Sequence, residues 1–250
     1  MYPFTVYESK CLLRIGGYPV ARIIADNITN TRICKDTDVN IICKPIDFKD
    51  FRHEFRDTSY RVMPIDSNIN SGTAGDFIRA FEAYFKYRDV MTGLQEGDEI
   101  MIHYGDVLTN LDYSMMMHYW LQNKVGLDLM LVGNMDIKHD YSKINTRAFD
   151  NVVSQFHEKP KIGYTSWTGI MLFPFYEDKG FYPYLRAQKY KEVDFAYDIF
   201  PEFIKRETTI LYNNVEFGVK WYDMGNIRSY ENLRKQFIES DKSPLVSNDY

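Results

Sequence analysis

The sequence predicts an α/β fold in which a mostly parallel sheet with crossover helices carries a smaller mixed α+β lobe. Three observations predict it. Strand-like and helix-like segments alternate through the first half, the pattern of a parallel sheet. From VVSQFHEKP (152–160) onward, strands follow one another without a long helix between them. No linker interrupts the 250 residues, so the parts read as two lobes of one domain over 1–240, divided near residue 135, with a tail at 241–250.

The elements follow in order. PVARIIADNI (19–28) reads as a helix opened by Pro19. DVNIICK (38–44) reads as a buried strand. DFKDFRHEFRD (47–57) is a polar helix with Phe48, Phe51 and Phe55 at i, i+3 and i+7. YRVMPID (60–66) is a strand, and GDFIRAFEAYFKY (75–87) an amphipathic helix with Phe77, Phe81 and Phe85 four apart. DEIMIHYGD (98–106) is a strong strand, LDYSMMMHYWLQN (111–123) a helix and LDLMLVGN (127–134) another strand. In the second half VVSQFHEKP and WTGIMLFPF (167–175) are strands. DFAYDIFPEFIKRE (194–207) is a helix that its proline kinks or breaks. TILYNNVEFGVKWYDMG (209–225) reads as a hairpin, IRSYENLRKQFIES (227–240) as a terminal helix, and the last ten residues as a loose tail.

Composition narrows the function. Hydrophobic residues at 45% and charged residues at 26% are ordinary for a globular chain. Aromatics at 16% predict a core and clefts rich in rings. A net charge of −5 argues against a broad phosphate-backbone footprint, while a local basic pocket for a small phosphorylated ligand is compatible with it. Cys11, Cys34 and Cys43 form no CxxC pair, which argues against a disulfide framework or structural zinc and fits the reducing cytoplasm. No apolar run approaches the about 18 residues of a membrane span, and residues 1–20 lack the order of a signal peptide.

Chemistry concentrates in a few stretches. In open α/β sheets ligands bind at the carboxyl ends of strands. Strand 98–104 ends in YGDV, where Gly105 permits close approach and Asp106 presents a carboxylate. Mg²⁺ takes one or two carboxylates plus phosphate oxygens. Taken alone, Asp106 fits a turn cap equally well. WYDMGN (221–226) places Asp223 after a strand, so Asp106 and Asp223 are candidates to share one metal. SGTAGDF (71–77) feeds a helix through Gly72, Thr73 and Gly75, whose backbone can receive an anion or a base edge; a plain tight turn is the simpler reading. HEKP (157–160) sets Glu158 and Lys159 on opposite faces of a strand, and alone it reads as a surface turn. The five histidines show no HxxxH or HxH spacing, and no GxSxG nucleophile motif occurs.

The order of these stretches resembles the sugar-1-phosphate nucleotidyltransferases, the pyrophosphorylases that make nucleotide sugars. The matching stretches are YPFTVYESKCLLRIGGYP, SGTAGDF, IMIHYGDVLTNLDY, VVSQFHEKP, WTGIMLFPF, DFAYDIFPE and WYDMGNIRSYENL, spread along nearly the whole chain. The resemblance implies a Rossmann-like, GT-A-like fold with a nucleotide-binding lobe (1–135) and a sugar-phosphate lobe (136–240). It implies that Lys10 contacts the phosphates, that the backbone at Gly72 and Thr73 recognises the nucleobase, and that Asp106 and Asp223 bind Mg²⁺. Glu158 and Lys159 then contact the sugar and its phosphate, and catalysis falls to Lys10, Asp106 and Asp223. The implied partners are a nucleoside triphosphate and a sugar 1-phosphate, with neither nucleic acid nor membrane; a homo-oligomer is compatible with the sequence.

The sequence also departs from the family. Family chains open with a buried strand and a glycine-rich loop ending in Gly-Thr-Arg, and Met1 stands about where the residue after that arginine falls. The expectation is a gap in the sheet between apolar edges, costing several kcal/mol of buried area. A start upstream of Met1 is the favoured explanation. A non-catalytic, nucleotide-sugar-binding relative and a degenerate inactive form are the alternatives. Trp167 stands where the family has an asparagine that holds the sugar; it cannot replace those amide bonds, though its ring can stack on a sugar face. Ser142 replaces a position in the family's tyrosine-glycine pair.

Overall fold

The structure is a computed structural model that describes residues 9–31, 38–65, 71–86, 94–134, 143–146, 153–157, 165–189, 191–213, 219–225 and 227–239. A short 3₁₀ turn, Lys10–Leu12, leads into a minimal hairpin, β1 (Arg14–Ile15) and β2 (Tyr18–Pro19). Gly16 and Gly17 close it with φ of 57° and 88°, the two positive angles that a tight two-residue hairpin turn needs. Helix α1 (Val20–Thr29) starts directly after Pro19 and buries Val20, Ala21, Ile24, Ala25 and Ile28, one stripe at helical spacing. β3 (Asn40–Cys43), α2 (Phe48–Glu54) and β4 (Arg61–Pro64) follow, with β3 parallel to β4. Next come α3 (Gly72–Lys86), β5 (Glu99–His103), β6 (Val107–Thr109), α4 (Tyr113–Asn123) and β7 (Leu129–Asn134). The carboxylate of Asp112 caps α4, accepting from the amides of Ser114 and Met115 at 2.9 and 3.0 Å.

In the second half β8 (Lys143–Thr146) pairs antiparallel with β9 (Val153–His157). β10 (Ser166–Pro174) and α5 (Phe181–Ala187) come next. The expected proline break is a π-turn over Phe195–Ile199 that runs into α6 (Phe200–Lys205), with Pro201 in its first turn, where the missing N–H costs no bond. β11 (Thr209–Asn213), β12 (Trp221–Asp223) and α7 (Ile227–Glu239) complete the order.

The central sheet runs β11-β7-β10-β5. The α/β class and GT-A-like layering stand, and the reversed strand β10, antiparallel to both neighbours, makes this sheet mixed. Its side chains alternate between two layers. Ile170 and Leu172 pack with α1, α4 and α7 around Trp120 and Met116. Met171 and Phe173 pack with α3, α5 and α6 in a layer dominated by phenylalanine. The ring-rich composition is thus concentrated on one face, where Phe173–Phe181 and Phe181–Phe203 centroids lie 4.6 and 4.9 Å apart.

Two expectations are corrected. Residues 209–225 do not form a hairpin: β11 pairs parallel with β7, whereas β12 crosses to pair antiparallel with β6. The apolar strand LMLVGN of β7 is covered on both faces and paired on both edges, and β11 supplies its second edge. Nor is β3 fully buried, since only Cys43 is enclosed and Ile42 is exposed.

The reason lies beside it. A slot of about 640 Å³ separates β3 from β5, lined by Ile24, Ile28, Ile41, Phe77, Ile100 and Ile102 among others. β3 is paired only with β4 and β5 only with β10; among the described residues no strand lies on the other edge of either. Apolar side chains therefore flank both unpaired edges.

Candidate active site

β5 ends at His103, and the chain turns through Tyr104, Gly105 and Asp106 into β6. A Cβ on Gly105 would lie 3.1 Å from Cys11 Sγ, so glycine lets the Lys10–Leu12 turn press against the strand end. That packing brings the Lys10 ammonium onto the Asp106 carboxylate as a hydrogen-bonded ion pair. Burial lowers the Lys10 pKa, but the Asp106 hydrogen bond and charge, with Cys11 and Asp223, more than offset it and hold the amine above the usual lysine range. Burial pushes the Cys11 thiol up to about 11, and the Asp106 charge adds to it, so this cysteine stays protonated.

Asp223 arrives from the far end of the chain. β12 pairs with β6 so that Asp223 faces Val107, and the Met224 amide donates to the Asp106 carbonyl at 2.8 Å. The two carboxylates therefore sit on adjoining strand ends, with Lys10 in the field of both. One Asp223 oxygen accepts from the Gly225 amide at 2.6 Å, which fixes the side chain. Among the described residues no group of three or more His, Cys, Asp or Glu side chains could hold a metal. A pair of carboxylates fits Mg²⁺ that draws its remaining ligands from substrate phosphates and water, and not a cage of protein ligands.

The SGTAG turn shows why its first glycine is needed. Gly72 has φ of 66°, and a Cβ there would lie 2.3 Å from the Val193 carbonyl oxygen. The amides of Ala74 and Gly75 donate to that same oxygen at 3.1 and 3.3 Å. This corrects the expectation of open helix-terminal amides: the chain itself occupies two of them. Thr73 is exposed beside them, and its hydroxyl donates to Asp194 at 2.8 Å.

Trp167 is placed differently from a free stacking platform. Its ring stands edge-on between Tyr104, at 5.2 Å, and Phe200, at 4.9 Å, and its indole N–H donates to the Ile170 carbonyl at 3.0 Å. It remains only partly exposed. Glu158 and Lys159 lie outside the described residues, as does Ser142. The structure therefore brings Lys10, Asp106 and Asp223 together, and sets Thr73 and Asp194 close enough to Tyr104, at the same strand end, to act on its phenol.

Sequence reasoning missed Tyr104 and Asp194. Tyr104 immediately precedes the Gly-Asp pair, but a tyrosine there carries no ligand signal of its own. Asp194 stands before a helical run, which marks a cap, and nothing local pointed to Thr73.

His103 was also missed, since a lone histidine shows no metal spacing. Its Nδ1–H donates to the Tyr104 carbonyl at 2.8 Å and its Nε2 accepts from the Tyr113 hydroxyl at 3.0 Å. Burial lowers its pKa to about 4, against smaller opposing effects of that carbonyl and of Asp106. An unfolded histidine titrates near 6.5. Between those values the unfolded state holds more protons, so stability falls as pH drops from 6.5 towards 4. The expected loss is up to about 3 kcal/mol, less where water in the slot reaches the ring. Urea unfolding at pH 7 and pH 5 checks it; identical pH dependence in wild type and His103→Gln would show that the folded ring charges freely.

The family model for nucleotidyl transferases matches residues 1–240. The chain belongs to the nucleotidyl transferase family. Among curated relatives, this family member is 22% identical over 211 residues to a glucose-1-phosphate adenylyltransferase of Mycoplasma mobile, matching 74% of this chain and 54% of that protein. It thus spans about half the length of that relative. Among solved structures it resembles a putative glucose-1-phosphate thymidylyltransferase of Bacillus anthracis crystallised with a sucrose, with a TM-score of 0.66, 16% identity, and coverage of 98% of this chain and 93% of that one. HddC from Yersinia pseudotuberculosis, also solved with GMP-PN, matches with a TM-score of 0.52 and 17% identity over 91% of this chain and 89% of that one. At these identities the structures establish that this family member has their fold. No described helix is long and apolar enough to cross a membrane.

Proposed function

We propose that the chain is an Mg²⁺-dependent nucleotidyltransferase that joins a nucleoside triphosphate to a hexose 1-phosphate, giving an NDP-sugar and pyrophosphate in the cytoplasm. The observation that carries this reading is the convergence of Lys10, Asp106 and Asp223 at adjoining strand ends, next to the Gly72–Thr73 turn. A sugar-phosphate oxygen attacks the α-phosphorus, and the bond to the β-phosphate oxygen breaks in line. No protein nucleophile is required, which agrees with the absence of a hydrolase motif. Bound Mg²⁺ supplies neutralisation of phosphate charge, and Asp106 and Asp223 are the residues to hold it. Lys10 binds the triphosphate as a fixed positive charge, and the Gly72–Thr73 backbone holds the base so that reacting atoms are aligned. Glu158, Lys159 and the partly exposed Trp167 take the sugar-phosphate side. The resemblance to a glucose-1-phosphate adenylyltransferase supports the substrate class.

Pyrophosphate release across a panel of nucleoside triphosphates and hexose 1-phosphates tests this. Turnover with at least one pair, dependent on Mg²⁺, is expected, and no turnover with any pair overturns it. The alternative reading is a non-catalytic homologue that binds nucleotide sugars. Calorimetry separates the two, because NDP-sugar binding without turnover identifies the second.

A further inference from the structure

Asp106 and Asp223 are set beside each other by a ribbon of only three residues a side. Val107, Leu108 and Thr109 of β6 face Asp223, Tyr222 and Trp221 of β12. At the carboxylate end the ladder carries one rung further, where the Met224 amide donates to the Asp106 carbonyl at 2.8 Å. At the other end the next partners in the same register are Asn110 and Lys220. There side chains take the place of the backbone. The Lys220 amide donates to Asn110 Oδ1 at 2.6 Å, and the Thr109 hydroxyl donates to the Lys220 carbonyl at 2.9 Å. The Thr109 oxygen also accepts from the Leu111 amide at 3.1 Å, which ties this rung to the turn that leads into α4. Thr109 is buried and Asn110 is exposed. Two further bonds dock the same segment on the central sheet. Asn134, at the end of β7, donates to the Val219 carbonyl at 3.4 Å, and the Trp221 indole N–H donates to the Thr168 carbonyl of β10 at 3.1 Å.

We propose that Thr109 and Asn110 are positioning residues for the carboxylate pair: they clasp Lys220 and so fix where Asp223 stands relative to Asp106. This rests on the nucleotidyl-transfer reading above, in which the pair holds Mg²⁺. The clasp lies at the far end of the ribbon and acts through the strand. A two-stranded ribbon is marginal by itself. Leu108 is fully buried and Tyr222 packs against the same core, which opposes a one-residue slip, because every side chain would turn to the other face. Burial opposes fraying and small slides along the strands far less, since the faces are then kept. Directional bonds at both ends of the ribbon resist those motions. Asp223 is the last residue of β12, so a shift of the strand passes to its carboxylate. Mg²⁺ demands near-ideal octahedral geometry, and two carboxylates that share it tolerate little displacement.

The test uses the full chain as wild type, Thr109→Val, Thr109→Ser and Asn110→Ala. The readouts are a calorimetric Mn²⁺ titration, the Mg²⁺ dependence of pyrophosphate release, and a thermal melt. Thr109→Val keeps the shape of the side chain and removes its hydroxyl. It is expected to raise the half-saturating metal concentration about tenfold in both assays, with KM for the sugar phosphate within about twofold at saturating Mg²⁺. Thr109→Ser restores the hydroxyl and recovers most of the loss. Should Thr109→Val fold poorly because the Leu111 amide loses its acceptor, Asn110→Ala removes the other half of the clasp at an exposed position and shifts the metal dependence the same way by less. A merely structural role would lower the Tm and leave the metal dependence of the folded variants unchanged, and that result overturns the clasp alone. A wild-type chain that binds no Mn²⁺ and turns over no pair of substrates overturns the functional reading and the clasp with it.

Discussion

Asp106→Asn is expected to lower Mg²⁺-dependent pyrophosphate release by on the order of 10²–10³ while the protein stays folded. Asparagine preserves the shape of the side chain and its carbonyl oxygen. It removes the negative charge, which is what attracts a divalent cation to an otherwise sparse pair of carboxylates. Little stability is at stake. The Lys10–Asp106 pair is partly open to water, with side chains 42% and 16% exposed, and pairs of this kind are worth about 0–1 kcal/mol. The Met224 amide bond to the Asp106 backbone survives the substitution, so the β6–β12 join is kept. Initial rates against Mg²⁺ concentration, with a thermal melt beside them, read both halves. Full activity in a folded Asp106→Asn variant would remove the metal assignment.

Lys10→Ala should act with opposite signs on two ligands. The ammonium is the positive charge assigned to the triphosphate, and its loss should weaken triphosphate binding about 10- to 100-fold, and sugar-phosphate binding much less. Without nucleotide, the same ammonium neutralises Asp106 and stands in the field of Asp223, so it opposes an incoming cation. Its removal should therefore tighten divalent-cation binding, measured directly as a Mn²⁺ titration. A variant that binds sugar phosphate more weakly than triphosphate would show that Lys10 serves the other substrate. Weaker cation binding in the same variant would show that the lysine does not compete for Asp106.

The local elements were legible because their signals are local. Pro19 marked the start of α1, and the four-residue spacing of Phe77, Phe81 and Phe85 marked α3. Partner choice was not legible. TILYN and WYD sit close in sequence with turn-like residues between, which is what a hairpin looks like, yet β7 and β6 each offered an open edge nearby in space. Strand pairing is settled by which edges remain open once the apolar faces are covered, and that depends on the whole chain. The candidate site divides similarly. Glycines at 72 and 105 signalled close approach, but the sequence offered a ligand as the reason at both. The neighbours turned out to be the Val193 carbonyl and Cys11. Trp167, read as a stacking surface, is fixed by two aromatic rings that no local pattern connects to it.

By itself, then, the sequence determined most of the longer strands and helices and the residue types of the candidate site, since propensity, periodicity and motif order are properties of short stretches. The tertiary structure decided three things: that Lys10 pairs with Asp106, that Asp223 reaches the same strand end, and that the Thr73 hydroxyl donates to Asp194. Each joins side chains far apart along the chain, and the distance between them is fixed only when sheet register and helix packing are complete.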